Sequence, residues 1–129
     1  MTNYTITNIH DLDDAAKGFG LSPNVEARFG RKALAAEKSG FSYQKLAPNL
    51  RQPFGHKHAQ QEEIYVFLSG SGRAKLGNEV IDLKQWDALR VAPATERAFE
   101  GGADGLEYLV FGSGESGDAE TIDGFWPPD

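Results

Sequence analysis

Cysteine is absent from the 129 residues, which excludes disulfides, thiolate nucleophiles, zinc–thiolate sites and iron–sulfur clusters at once. Histidine is nearly absent, with only His10, His56 and His58 in the chain. Any metal site must therefore be assembled from imidazole and carboxylate. No apolar run approaches the roughly 20 residues that span a bilayer, so no membrane partner is expected. Basic residues are also few. The 13 Lys and Arg stand against 19 Asp and Glu, a formal charge of -6, which leaves no cationic surplus for phosphates and makes nucleic acid an unexpected partner. Met1 to Thr5 contain neither a basic nor an apolar signal region, and a cytoplasmic location is expected. A chain of this length is expected to form one domain that buries roughly two-thirds of its unfolded surface.

What is present divides into three stretches. Residues 1–40 form an N-terminal extension in which acidic and alanine-rich segments have helical spacing. Asp11 to Lys17 reads as one short helical turn. Ser22-Pro23 reads as an N-cap followed by a first-turn proline, with Val25 and Phe29 on one helical face. Residues 41–111 read as a barrel core of short strands separated by Gly, Pro and Asn: Phe41–Leu46, Gln52–His58, Glu63–Leu68, Arg73–Leu76, Glu79–Leu83, Ala88–Val91, Arg97–Glu100 and Leu106–Phe111. Gly77-Asn78 suits a tight hairpin, and Ser69-Gly70-Ser71-Gly72 reads as a turn. Many short strands with no helix between them predict an all-β antiparallel sandwich or barrel. Residues 112–129 read as a flexible linker, Gly112 to Asp118, and an aromatic tail, Phe125-Trp126-Pro127-Pro128. Such a tail is too apolar to be left free and is expected to dock on the domain or on a second subunit.

The chemistry is concentrated in Gln52 to Gly70. On a strand, residues two apart share a face, so His56 and His58 project together while Lys57 points away. A short return through Ala59 to Glu62 lets the next strand bring a carboxylate beside them. Two neutral nitrogens and one anionic oxygen make a two-His-one-carboxylate set with open coordination positions. His10, distant in sequence and in a polar segment, reads as a surface histidine.

His56-x-His58, four residues, Glu63, six residues and Gly70 resembles the first conserved motif of the cupin family. In that register Glu63, Tyr65 and Phe67 face the barrel interior, Ile64, Val66 and Leu68 face the opposite layer, and Glu62 lies at the rim. The family's second motif is matched in part by Trp86 to Arg97. Trp86 stands at its first Gly, Ala92 at its Pro, Ala94 at its second Gly and Arg97 at its His. A guanidinium has no lone pair for a metal, so the family's fourth ligand is missing.

The resemblance implies a cupin-type jelly-roll β-barrel, or double-stranded β-helix, with short N-terminal helices, and a small-molecule ligand held inside a homodimer. It implies a divalent transition metal, zinc, iron, manganese or nickel, on His56, His58 and Glu63, with Arg97 and Tyr65 binding an anionic, carboxylate-bearing substrate. An enzyme of this kind would be a metal-dependent oxygenase, isomerase or decarboxylase. The competing reading is a non-catalytic binding module whose metal site is degenerate, with Arg97 paired to Glu63.

Overall fold

Two-residue alternation of burial over Glu63 to Leu68 builds the centre of the fold, because side chains on a strand point to opposite faces in turn. Glu63, Tyr65 and Phe67 are buried, whereas Ile64 on the opposite face is 44% exposed. This register agrees with the sequence expectation. The computed structural model describes residues 3–113 and 117–127. Residues 114–116 of the expected linker and Pro128 of the expected tail lie outside the described residues.

The elements are β1 (Val25–Phe29), α1 (Arg31–Leu34), β2 (Gly40–Leu46), β3 (Phe54–His58), β4 (Glu63–Leu76), β5 (Glu79–Lys84), β6 (Ala88–Val91), β7 (Arg97–Gly112) and β8 (Ala119–Asp123), preceded by 3-10 turns at Ile9–Asp11 and Ala15–Phe19. The strands curl as one antiparallel sheet in the order β1-β2-β7-β3-β8, and β4 pairs with β5, β6 and β7. Among the described residues, no helix is long and apolar enough to cross a membrane. Inside the curl, Tyr65, Phe67, Phe99 and Tyr108 pack with ring centroids 4.7–6.5 Å apart, each 2% exposed or less. Burial of these rings supplies much of the apolar driving force.

Four expectations are corrected. The residues after Ser22-Pro23 form strand β1, not a helix, with Val25 opposite Leu46 and Phe29 opposite Ser42. Apolar Val25, Ala27 and Phe29 alternate with Glu26 and Arg28, which pair at 2.7 Å on the other face, a two-residue period that suits a strand. The strands expected at Glu63–Leu68 and Arg73–Leu76 are one strand, β4, and those at Arg97–Glu100 and Leu106–Phe111 are one strand, β7. The glycines read as turns are sites of close approach. A Cβ on Gly70, at φ +81°, would lie 2.1 Å from the Gly105 carbonyl oxygen, and one on Gly72 would lie 2.1 Å from that of Glu100. Register shifts between β4 and β7 fall at these positions, where bulges let long strands bend around a barrel. Finally, the C-terminal stretch is not only linker and tail, because β8 pairs with β3 from Phe54–Asp123 to His58–Ala119.

The expected hairpin forms at Leu76 and Glu79, with Gly77 at φ +59°. The aromatic tail docks on the domain itself: Phe125 is 9% exposed, lies against Gly55, and has the Lys75 ammonium 3.7 Å from its ring centroid. Arg51 sits over Trp126 at 4.8 Å.

Candidate metal centre

Strand β3 carries His56 and His58 on one side of the pleat, and the loop to β4 returns the chain so that Glu63 opens the next strand. Ligand atoms of these three residues lie within 4.8 Å of one another. The Glu63 Oε1 atom is 3.4 Å from His56 Nε2 and 3.3 Å from His58 Nε2. Donor atoms about 2.1 Å from a common ion in a tetrahedral arrangement lie about 3.4 Å apart, so the cluster has the dimensions of a coordination site.

The protonation of His58 is set from behind. Its Nδ1 is 2.8 Å from Asp118 Oδ1, and a carboxylate only accepts, so Nδ1 donates, and in the neutral ring Nε2 then keeps its lone pair. The Asp118 carboxyl is held down at about 2, by the Gln60 backbone N–H first and by His58 next, with Gln61 adding its own N–H. His58 Nε2 is buried with no hydrogen-bond partner. A buried lone pair without a donor beside a carboxylate oxygen is unfavourable unless a cation lies between them. This orphaned nitrogen, the imidazole–carboxylate donor set and the Asp118 support all fit a divalent transition metal.

Besides the histidines, three groups surround Glu63. Tyr65 donates to Oε1 at 2.6 Å, Arg97 donates from Nη2 to the same atom at 3.2 Å, and the Gln61 amide donates to Oε2 at 3.2 Å. Burial pushes the Glu63 carboxyl up, but the hydrogen bonds that His56 and Tyr65 make to it lead the opposing effects, and the group is held at about 2. Glu63 is therefore ionised and available as an anionic ligand.

Arg97 and Tyr65, expected on the substrate, sit differently from each other. Arg97 is fully buried, donates to the Pro93 and Thr95 carbonyls at 3.0 and 2.7 Å, and reaches the Tyr65 hydroxyl at 3.3 Å. With four donor contacts made inside the protein, it stands behind Glu63 and is not part of the cavity wall. Tyr65 lines the cavity with its ring, while its hydroxyl is engaged by Glu63 and Arg97.

Glu62, expected at the rim, points outward and pairs with Arg90 at 3.0 Å. His10 is exposed, its ring 6.0 Å from that of Tyr43. Asp118 was missed by sequence reasoning, which placed it in a linker. Its only signal there was an acidic side chain sixty residues from its partner.

No family model and no curated protein matches the chain at the level of sequence. Solved structures do match. A cupin protein from Bacteroides fragilis is 23% identical with a TM-score of 0.70, the match covering all of this chain and 92% of that one. The protein KdgF from Halomonas sp. is 17% identical with a TM-score of 0.65 over 90% of this chain and 97% of that one. Oxalate decarboxylase from Bacillus subtilis is 17% identical with a TM-score of 0.72 over 90% of this chain, which spans 32% of the larger enzyme. The fold is that of the cupins.

Proposed function

We propose that this protein is a metal-dependent cupin that acts on a small anionic, carboxylate-bearing molecule, with a divalent transition metal held by His56, His58 and Glu63. The orphaned His58 Nε2, aimed at the Glu63 oxygen while Asp118 fixes the opposite ring nitrogen, is the observation that carries the reading. Such a metal supplies Lewis acidity to a bound oxygen ligand. The chain's own groups do the rest. Asp118 keeps His58 in the Nδ1–H tautomer, and Tyr65 and Arg97 hold Glu63 ionised and oriented. The aromatic cluster beneath keeps water away from the floor of the site. A homodimer belongs to the same proposal: Ile64 and Phe111, opposite one another across β4 and β7, are 44% and 42% exposed on the outer face, an apolar pair suited to cover.

The Arg97–Glu63 contact favours a second reading, in which the guanidinium takes the place of the metal and the barrel only binds. Elemental analysis of untagged protein separates the two. Near-stoichiometric zinc, iron, manganese or nickel, lost in a His56→Ala/His58→Ala variant, is the expected result. Protein that carries no metal, and whose melting is unmoved by any of the four ions, would establish the salt-bridged cavity in its place.

A further inference from the structure

A single cavity of about 880 Å³ runs from His56, His58, Glu63 and Tyr65 to a mouth formed by β1, α1 and the Ala15–Phe19 turn. Its volume suits a whole small ligand. The wall between floor and mouth is built by the alternation that made β1 a strand: Val25, Ala27 and Phe29 share the inward face. Val110, Phe41 and Phe54 complete it from β7, β2 and β3.

The polar residues on this wall are bonded to one another. Gln44 donates to Ser42 Oγ at 3.1 Å and accepts from the Tyr108 hydroxyl at 3.1 Å. Gln52 donates to that hydroxyl at 3.1 Å and accepts the Phe99 N–H at 2.9 Å. With both amides engaged on both of their polar ends, a hydroxylated ligand body would lose its water and find poor replacement. Glu63 is the one carboxylate on the lining among the described residues, and Arg31 and Lys32 stand at the mouth. Charge along the path therefore favours an anion. At the mouth, Phe19 and Phe29 are 80% and 58% exposed, large aromatic surfaces that a ligand body would cover.

We infer that the ligand is a monoanionic acid with a hydrophobic body, aromatic or aliphatic, its carboxylate at the His56–His58–Glu63 end and its body along Val25, Ala27 and Phe29. Sugar acids and other polyhydroxylated acids are disfavoured by this wall. The inference rests on the metal reading for the position of the carboxylate, and on the wall alone for the nature of the body.

The experiment is calorimetric titration of straight-chain carboxylates, acetate to octanoate, with gluconate as a polar control. It is run on the full chain stripped by a chelator and again after addition of zinc. The expected result is a Kd that falls roughly two- to fourfold for each added methylene in both forms, with gluconate weaker than octanoate by about 100-fold. Zinc should strengthen every carboxylate by a similar factor. A chain-length dependence in both forms without zinc uptake would remove the metal reading and leave the hydrophobic-acid inference standing. Zinc uptake with a flat series, or with gluconate binding as well as octanoate, would overturn the inference and leave the metal reading in place. Because Phe29 is largely exposed, Phe29→Ser should fold. It should weaken octanoate about fivefold and leave acetate unchanged, and equal loss for both acids would also overturn the placement of the body.

Discussion

Asp118 is the residue on which the metal centre leans without belonging to it. It accepts from His58 Nδ1 and from the Gln60 and Gln61 backbone N–H groups, so it fixes both a ring tautomer and the loop between the two ligand-bearing strands. Replacing it by asparagine permits the opposite tautomer, because an amide can donate to Nδ1 and leave the proton on Nε2. Asp118→Asn should therefore weaken zinc binding about 10- to 100-fold, read by competition with a chromophoric chelator, while thermal stability of the metal-free protein changes little. The clustering of His56, His58 and Glu63 was legible because two-residue spacing on a strand and a short return are local facts. Asp118 was not, since contact across sixty intervening positions follows only from the pairing of β8 with β3. Arg97 was legible as a non-ligand from its chemistry. That it turns behind Glu63, away from the cavity, depended on the Pro93 and Thr95 carbonyls that receive it.

At the scale of the element, turns and bends show how punctuation in a sequence can mislead. Glycine marked both real hairpins and bulges, and only the approach of Gly70 to the Gly105 carbonyl separates the two uses. Conversely, a position that calls for glycine holds tryptophan. Trp86 lies between β5 and β6 at φ +73°, in the left-handed region that costs a side-chain-bearing residue about 1–2 kcal/mol. In the sequence resemblance it stands at the first Gly of the second cupin motif, and its backbone has a conformation that glycine adopts without strain. The side chain is 71% exposed, so little packing is lost on its removal. Glycine's greater freedom when unfolded returns about 0.5–1 kcal/mol of the gain. Trp86→Gly should still raise the thermal midpoint by about 2–4 °C, measured by calorimetry, with the backbone bond from residue 86 to the Phe67 carbonyl kept at its present 2.7 Å. The helix expected at Val25–Phe29 failed for a related reason. Four residues separate Val25 from Phe29, which fits one helical face and one strand face alike, and the choice came from β2 lying alongside.

The whole molecule responds to acid through pairs that tie distant parts of the sheet. Glu100 on β7 faces Arg73 on β4, whose Nη2 is 2.6 Å away, and also pairs with Arg51 of the segment before β3. Burial raises its carboxyl, but hydrogen bonds from Arg73 and Arg51 and their charges bring it below its ordinary 4.5. A group lowered on folding stabilises fully above the unfolded value and less as pH falls through the folded one. Glu100→Gln should cost about 1 kcal/mol at neutral pH, and the gap to the parent should close as denaturant melts are taken from pH 5 down to pH 3. A gap that stays constant would show that packing, not charge, is what Glu100 contributes. The composition, with 19 acids against 13 bases, located no such pair, because partners 27 and 49 residues apart are set by topology. The same topology dictates an order of events during synthesis. Both histidines and Glu63 emerge from the ribosome long before Asp118 and β8, so a nascent chain holds its three ligands without the group that aligns them. On the proposed metal reading, alignment of the site waits until the last strand has closed against β3, and a chain cut short of Asp118 would be left with imidazoles and without the carboxylate that orients His58.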